Sequence, residues 1–362
     1  MATTLTVNHR QLLDLIVQHY NRREPLFIWG EPGIGKTYTV RDACRVLADK
    51  LGLDGVSDWP ERRDNTFWQI DNRLSQMDPV DLRGIPQERD GALAWLPPDF
   101  LARLPQGGHG ILFFDEFNLA PPLTQAGAYS LIGDRRSGDA VLPDGFAVIA
   151  AGNRTEDQAH TYPMAKPLQN RYAHVTLEPP SAEAWIEWGA KRGIDGRILG
   201  FIEQNPGYLH KIDQDPEVPA FPTERTWEQT SNMIVGVEDW QSVQLQASVC
   251  VGPPTAAQFA AFAKLVAEFD LDEILSDPAK AKLPTEIDRL WALCSGLSER
   301  YRGKKTKALL AKCIAVSGRL EAEFGVLLLK MVKRHAANGH KAAMAALLRE
   351  TGLAEKYGKY LL

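Results

Sequence analysis

A chain of 362 residues, 44% hydrophobic and 24% charged, holds material for about two folded domains with substantial cores. Its four cysteines (Cys44, Cys250, Cys294, Cys313) lie far apart with no C-x-x-C spacing, and its eight histidines form no ligand pattern, which argues against a disulfide framework or a zinc module. No run approaches the roughly 18 apolar residues of a spanning helix, and Met1–Val7 lacks a basic stretch followed by an apolar one, so the expectation is a cytoplasmic protein with no membrane partner.

Asn8 to Tyr20 carries Leu12, Leu15, Ile16 and His19 on one helical face and predicts an amphipathic helix. Leu26-Phe27-Ile28-Trp29 predicts a buried strand. It runs directly into Gly30-Glu31-Pro32-Gly33-Ile34-Gly35-Lys36-Thr37, which fits G-x-x-x-x-G-K-[ST]. Glycines let consecutive N–H groups turn inward around a β-phosphate, Lys36 sets a point charge at the β/γ oxygens, and the Thr37 hydroxyl can ligate Mg²⁺. Thr39 to Lys50 predicts a helix whose N-terminus faces those phosphates. The pattern names ATP or GTP as ligand, with Gly30, Gly33, Ile34, Gly35, Lys36, Thr37 and Tyr38 as the candidate binding set.

Phe67 to Ile70 predicts a second strand. Gly84-Ile85-Pro86 and Gly91 to Leu96, around a polar turn at Gln87 to Asp90, predict a hairpin. Ile111 to Phe114, a third strand, ends in Asp115 and Glu116. A strand covered on both faces reads as an unbroken hydrophobic run, so ionised carboxylates at its tip need a cation or a solvated cleft beside them. Asp115 is therefore a candidate Mg²⁺ ligand and Glu116 a candidate for polarising an attacking water, although an apolar strand emerging into an acidic turn looks the same in isolation. Asp134 to Asp139 and Leu142 to Gly145 bracket a second short hairpin. Phe146 to Ala151 and His174 to Leu177 predict the fourth and fifth strands. Asn153, past the fourth, sets an amide where a lytic water and a γ-phosphate could be held; an ordinary turn asparagine is the plain alternative. A short helix, Pro167 to Asn170, precedes Arg171.

Strands alternating with helices predict an α/β fold, a largely parallel sheet covered on both faces with ligands at the carboxyl ends of its strands. A boundary is expected after Pro179-Pro180, where Ser181 reads as an N-cap with Glu183 in the first turn. Helical patterns continue to about Val235, broken by a loop at Asp213 to Pro222, and resume beyond Val251-Gly252-Pro253-Pro254. Leu320, Phe324, Leu327, Leu328 and Met331 form one apolar face. Charge is uneven: Gly296 to Leu362 holds 14 Lys and Arg against 5 Glu, a net of +9, which leaves −14 on residues 1–295. A solvated helical face explains the dense run Arg300 to Lys307, and so does contact with nucleic acid or an acidic protein. Nucleic acid is not favoured, because the run lacks the interleaved aromatics of a base-stacking surface and the pI is near 6.0.

In order, the segments Gly30 to Thr37, Met77-Asp78-Pro79-Val80-Asp81-Leu82-Arg83-Gly84, Asp115-Glu116, Ala151-Gly152-Asn153, Leu168-Gln169-Asn170-Arg171-Tyr172 and Pro222 to Trp227 resemble the MoxR-type AAA+ ATPases of the helix-2-insert clade. The likeness covers roughly residues 8 to 235; about 110 residues at the end match only loosely. It implies a parallel five-stranded core over residues 1–180 with strand order 5-1-4-3-2, a helical lid over 181–250 and a helical extension over 251–362. It implies Mg²⁺-dependent ATP hydrolysis in a ring, expected to be a hexamer, that remodels a protein client, with a von Willebrand factor A domain protein as partner. Asn153 falls at sensor 1, Arg171 at the arginine finger that enters a neighbour's site, with adjacent Arg154 a competitor for that role, and Arg225 at sensor 2. The hairpins resemble the helix-2 insert and the hairpin before sensor 1, which makes Trp95 a candidate for client contact. The rival reading is a nucleic-acid-stimulated or restriction-type ring NTPase, suggested by the basic tail.

Overall fold

The computed structural model describes residues 4–61, 63–154, 161–212, 218–336 and 338–361. The chain divides into two compact units, residues 1–180 and 181–362, each with its own apolar cores.

The first unit is an α/β layer structure. Its strands in chain order are β1 (Leu5–Val7), β2 (Leu26–Trp29), β3 (Val56–Asp58), β4 (Phe67–Arg73), β5 (Ile85–Arg89) and β6 (Ala92–Leu96). They continue with β7 (His109–Asp115), β8 (Arg136–Ser137), β9 (Ala140–Val141), β10 (Phe146–Gly152) and β11 (Ala173–Leu177). Seven of them form one sheet in the order β1-β11-β2-β10-β7-β4-β3, and every pairing in it is parallel. The five expected strands occupy its middle in the order 5-1-4-3-2. The sheet is two strands wider than expected because β1 and β3 are three-residue edge strands; in β1 only Val7 is buried while Leu5 stays 66% exposed, so no hydrophobic run announces it.

Successive side chains of the middle strands go to opposite faces. Ile28, Ile111, Phe113 and Ile149 pack with Leu12 and Ile16 of helix α1 (His9–Arg22) and Val40 and Leu47 of helix α2 (Lys36–Leu51). Phe27, Leu112, Phe114 and Val148 pack on the other face with Phe117, Leu131, Leu168 and Tyr172. Both faces are apolar and covered, which is the physical content of the unbroken hydrophobic runs in the sequence. All carboxyl ends lie along one edge of the sheet.

Both hairpins form. In β5–β6 the turn is the pair Asp90-Gly91, each at positive φ (53° and 76°), so Gln87 to Arg89, expected in the turn, belong to a strand instead. The second hairpin, β8–β9, turns at Gly138-Asp139. The two are joined: the Trp95 N–H donates to Asp139 Oδ2 at 3.1 Å, and Gly138 (φ +54°) approaches so closely that a Cβ there would sit 2.6 Å from Trp95 Cβ.

Among its described residues, the regular elements of the second unit are all helices. Ser181 caps the helix Ala182–Arg192 by accepting from the Ala184 N–H. Of the loop expected at Asp213–Pro222, residues 213–217 lie outside the described ones. One apolar cluster gathers Trp185, Phe201, Trp227, Phe259 and Phe262; another gathers Leu293, Leu297, Leu310, Leu328 and Tyr357. The expected apolar face is split at its start: Leu320 follows the helix Lys307–Arg319, while Phe324, Leu328 and Met331 are buried from the next, Ala322–His335. Arg334 pairs with Glu203 through two bonds of 2.5 and 2.7 Å, Arg300 with Asp272 and Arg302 with Glu299. Three arginines of the basic tail are thus used inside the unit, while most of its lysines, Lys304, Lys305 and Lys307 among them, are exposed. No helix among the described residues is long and apolar enough to cross a membrane.

Candidate nucleotide site

Strand β2 delivers the chain into the glycine loop at the carboxyl edge of the sheet. There Gly30 N–H donates to Gly152 O at 3.3 Å. Gly33 and Gly35 adopt φ of 85° and 96°, conformations open to glycine and costly for residues with a Cβ. A Cβ on Gly30 would meet Ile34 Cδ1 at 2.7 Å. Helix α2 opens at Lys36 with Gly35 as its cap and no side chain capping it, so its N-terminus lies directly behind the glycine loop. Ile34 is buried in the core; it serves this loop through its backbone. Tyr38 lies half-buried in the first turn of α2.

Side chains join the separate motifs. Lys36 is buried, and its Nζ donates to Gly30 O at 2.6 Å, Glu31 O at 2.8 Å and Asn153 Oδ1 at 2.9 Å. Thr37 Oγ1 donates to Asp115 Oδ2 at 2.7 Å. The lysine and the hydroxyl of the loop are therefore tied to the ends of β10 and β7, two strands adjacent to one another in the sheet. Glycine-lined amides, an ammonium and a hydroxyl–carboxylate pair are a donor set that fits a polyphosphate with its divalent cation.

Glu116 leaves β7 at φ +53°, a left-handed backbone that costs a residue with a Cβ about 1 kcal/mol or more. Its N–H donates to Asp115 Oδ1 at 2.8 Å, and its Oε2 accepts from Ser75 Oγ at 2.5 Å. On β4, burial and then the neighbouring Asp115 push the Asp71 carboxyl up to about 6. Asn118, 4% exposed, clasps the backbone of Asn153 with both ends of its amide: Nδ2 donates to Asn153 O at 2.6 Å and Oδ1 accepts from Asn153 N–H at 3.1 Å. Gly152 makes that approach feasible, since a Cβ there would lie 2.4 Å from Asn118 Oδ1.

The structure thus gathers Lys36, Thr37, Asp115, Glu116 and Asn153. Arg171 is not bonded into that group: it is exposed, its guanidinium lies 4.3 Å over the Tyr129 ring, and it donates to Pro167 O at 3.1 Å. Arg225 belongs to the second unit, where it is exposed as the second residue of the helix Glu224–Ile234, behind the Thr223 cap. Ser75, Asn118 and Asp71 were missed. Asn118 had a readable signal, a polar residue set between Phe117 and Leu119 two positions after Glu116; Ser75 and Asp71 had none.

No protein-family model matches the chain. Among solved structures it is similar to NtrX from Brucella abortus, at 16% identity and a TM-score of 0.35 over 92% of this chain and 69% of that one. It is also similar to RuvB from Thermotoga maritima, at 16% identity and a TM-score of 0.32 over 89% of this chain and 80% of that one.

Proposed function

We propose that this chain is a Mg²⁺-dependent ATPase of the AAA+ type, working as a ring and spending hydrolysis on a protein client. The observation that carries the reading is the pair of ties from one glycine loop to two strand ends, Lys36 to Asn153 and Thr37 to Asp115. Backbone amides of Gly33 to Thr37 bind the β-phosphate, and Lys36 the β/γ oxygens. Thr37 and Asp115 would hold a divalent cation, which would supply positive charge to offset that building on the transferring phosphoryl group. Glu116 draws a proton from the attacking water, and Asn153, fixed by Asn118, orients that water. Arg171, exposed on the surface of its own unit, completes a neighbouring subunit's site. A contact of that head-to-tail kind closes into a ring, for which six subunits is the proposed number. By the resemblance to MoxR-type proteins, residues 181–250 act as a lid carrying Arg225, residues 251–362 are an added helical extension, and the partner carries a von Willebrand factor A domain.

The nucleic-acid motor is the weaker reading, because the exposed basic run Lys304 to Lys307 lacks the interleaved aromatics of a base-stacking surface and Arg300, Arg302 and Arg334 are paired with Asp272, Glu299 and Glu203. Nucleotide titration and hydrolysis of Lys36→Ala and Glu116→Gln test the proposal. Lys36→Ala should lose binding, because it removes ground-state phosphate contacts; Glu116→Gln should bind as the parent does and lose turnover by about 10² or more. Equal binding defects in both variants would overturn the assigned roles. Strong stimulation of the parent by DNA, falling steeply with salt, would replace the protein client with a nucleic acid.

A further inference from the structure

We propose that His9 is a positioning residue for the phosphate loop, an inference that rests on the nucleotide reading above and adds to it a residue outside every motif. His9 opens helix α1, and its Nε2 lies 2.7 Å from Ile34 O. A carbonyl oxygen only accepts, so the ring presents Nε2–H to it. The same nitrogen marks the wall beside the next residue: a Cβ on Gly35 would lie 3.2 Å from it. The ring therefore packs along the Ile34–Gly35 peptide itself.

The consequence follows from peptide geometry. In a planar trans peptide the C=O and the following N–H point in opposite directions. Drawing Ile34 C=O toward His9 turns the Gly35 N–H the other way, into the concavity where consecutive loop amides meet an anion. Without that bond the peptide can rotate, because glycine at 35 tolerates most conformations, and the amide must be reordered each time a phosphate binds. His9 is itself held firmly. Asn8 Oδ1 accepts from the Gln11 N–H at 3.0 Å and the Asn8 N–H donates to Gln11 Oε1 at 3.1 Å, a reciprocal cap at the start of α1. Leu12 and Ile16 then anchor α1 in the same core as Ile34 and Val40. The imidazole is thus fixed from the helix side and reaches across to the loop.

The test is calorimetric titration with ADP, with steady-state ATP hydrolysis and thermal unfolding beside it, on the parent, His9→Ala and His9→Gln. His9→Ala should bind ADP about 5- to 10-fold more weakly, the size of one lost intramolecular hydrogen bond, and should raise KM for ATP while kcat stays within about twofold. His9→Gln, whose side-chain amide N–H can reach the same carbonyl, should recover most of the affinity. If His9→Ala does not fold, His9→Leu, of closer volume and without a donor, takes its place in the comparison. A donor-less variant that binds ADP as tightly as the parent overturns the proposal, and so does a His9→Gln variant as weak as the donor-less one. If the parent itself binds no ADP, the nucleotide reading fails first and takes this inference with it.

Discussion

His335, the last residue of its helix, is half-buried, and burial followed by the charges of Arg302, Lys305 and Arg334 lowers its pKa to about 4. In the unfolded chain a histidine titrates near 6.5. Between those values the unfolded state takes a proton that the folded state refuses, so this residue removes stability as pH falls from about 6.5 to about 4 and leaves it unchanged above. Glu299, whose carboxyl is raised by burial despite Arg302, has the opposite sign, and comparing parent with variant cancels it. His335→Gln should therefore flatten the acid limb of a plot of urea midpoint against pH; an unchanged slope would mean that the imidazole takes its proton as readily in the folded chain as in the unfolded one. The same scale shows which residues could be read in advance. Lys36 and Thr37 follow from a short glycine pattern, Asp115 from the apolar run before it and Asn153 from the order of family motifs, even though the bonds that join them span 117 and 78 residues. Ser75 and Asn118 act on partners 41 and 35 residues away, and only the folded chain brings those together.

Among elements, the middle strands were legible because burial on both faces demands uninterrupted apolar runs. The first hairpin was legible but shifted. Its strands are largely solvated, with Glu88, Arg89 and Leu93 all exposed, so polarity there does not mark a turn, whereas the paired positive φ of Asp90 and Gly91 does. Its contact with the second hairpin had no signal at all. Gly138 sits at φ +54° against Trp95, so Gly138→Ala meets both an unfavourable backbone and a clash. That variant should lose about 1–3 kcal/mol of stability and open both hairpins to limited proteolysis. A parent-like digestion pattern would show that the two hairpins hold their places independently.

At the scale of the whole molecule the proposed trans arrangement makes a further prediction. On the proposed function, Arg171→Ala would keep its loop but supply no finger, while Lys36→Ala would supply a finger and bind no nucleotide. Each should be inactive alone, and mixed rings should regain activity where a Lys36→Ala subunit lends Arg171 to its neighbour; Arg225→Ala, lacking a contact to its own site, should not be rescued. Recovery with Arg225→Ala in place of Arg171→Ala would exchange the two roles. The all-parallel sheet has a different consequence, one of order in time. Among the described residues, strand β2 pairs only with β10 and β11, and β1 only with β11, Leu5 opposite Val175. A chain made from its N-terminus carries both strands unpartnered until residues near 150 and 177 have emerged, and each pairing then closes a loop of more than a hundred residues. Such distant closures are slow, so strands made well before their partners are among the last to settle, and Leu26-Phe27-Ile28-Trp29 is a stretch a chaperone has reason to cover during synthesis.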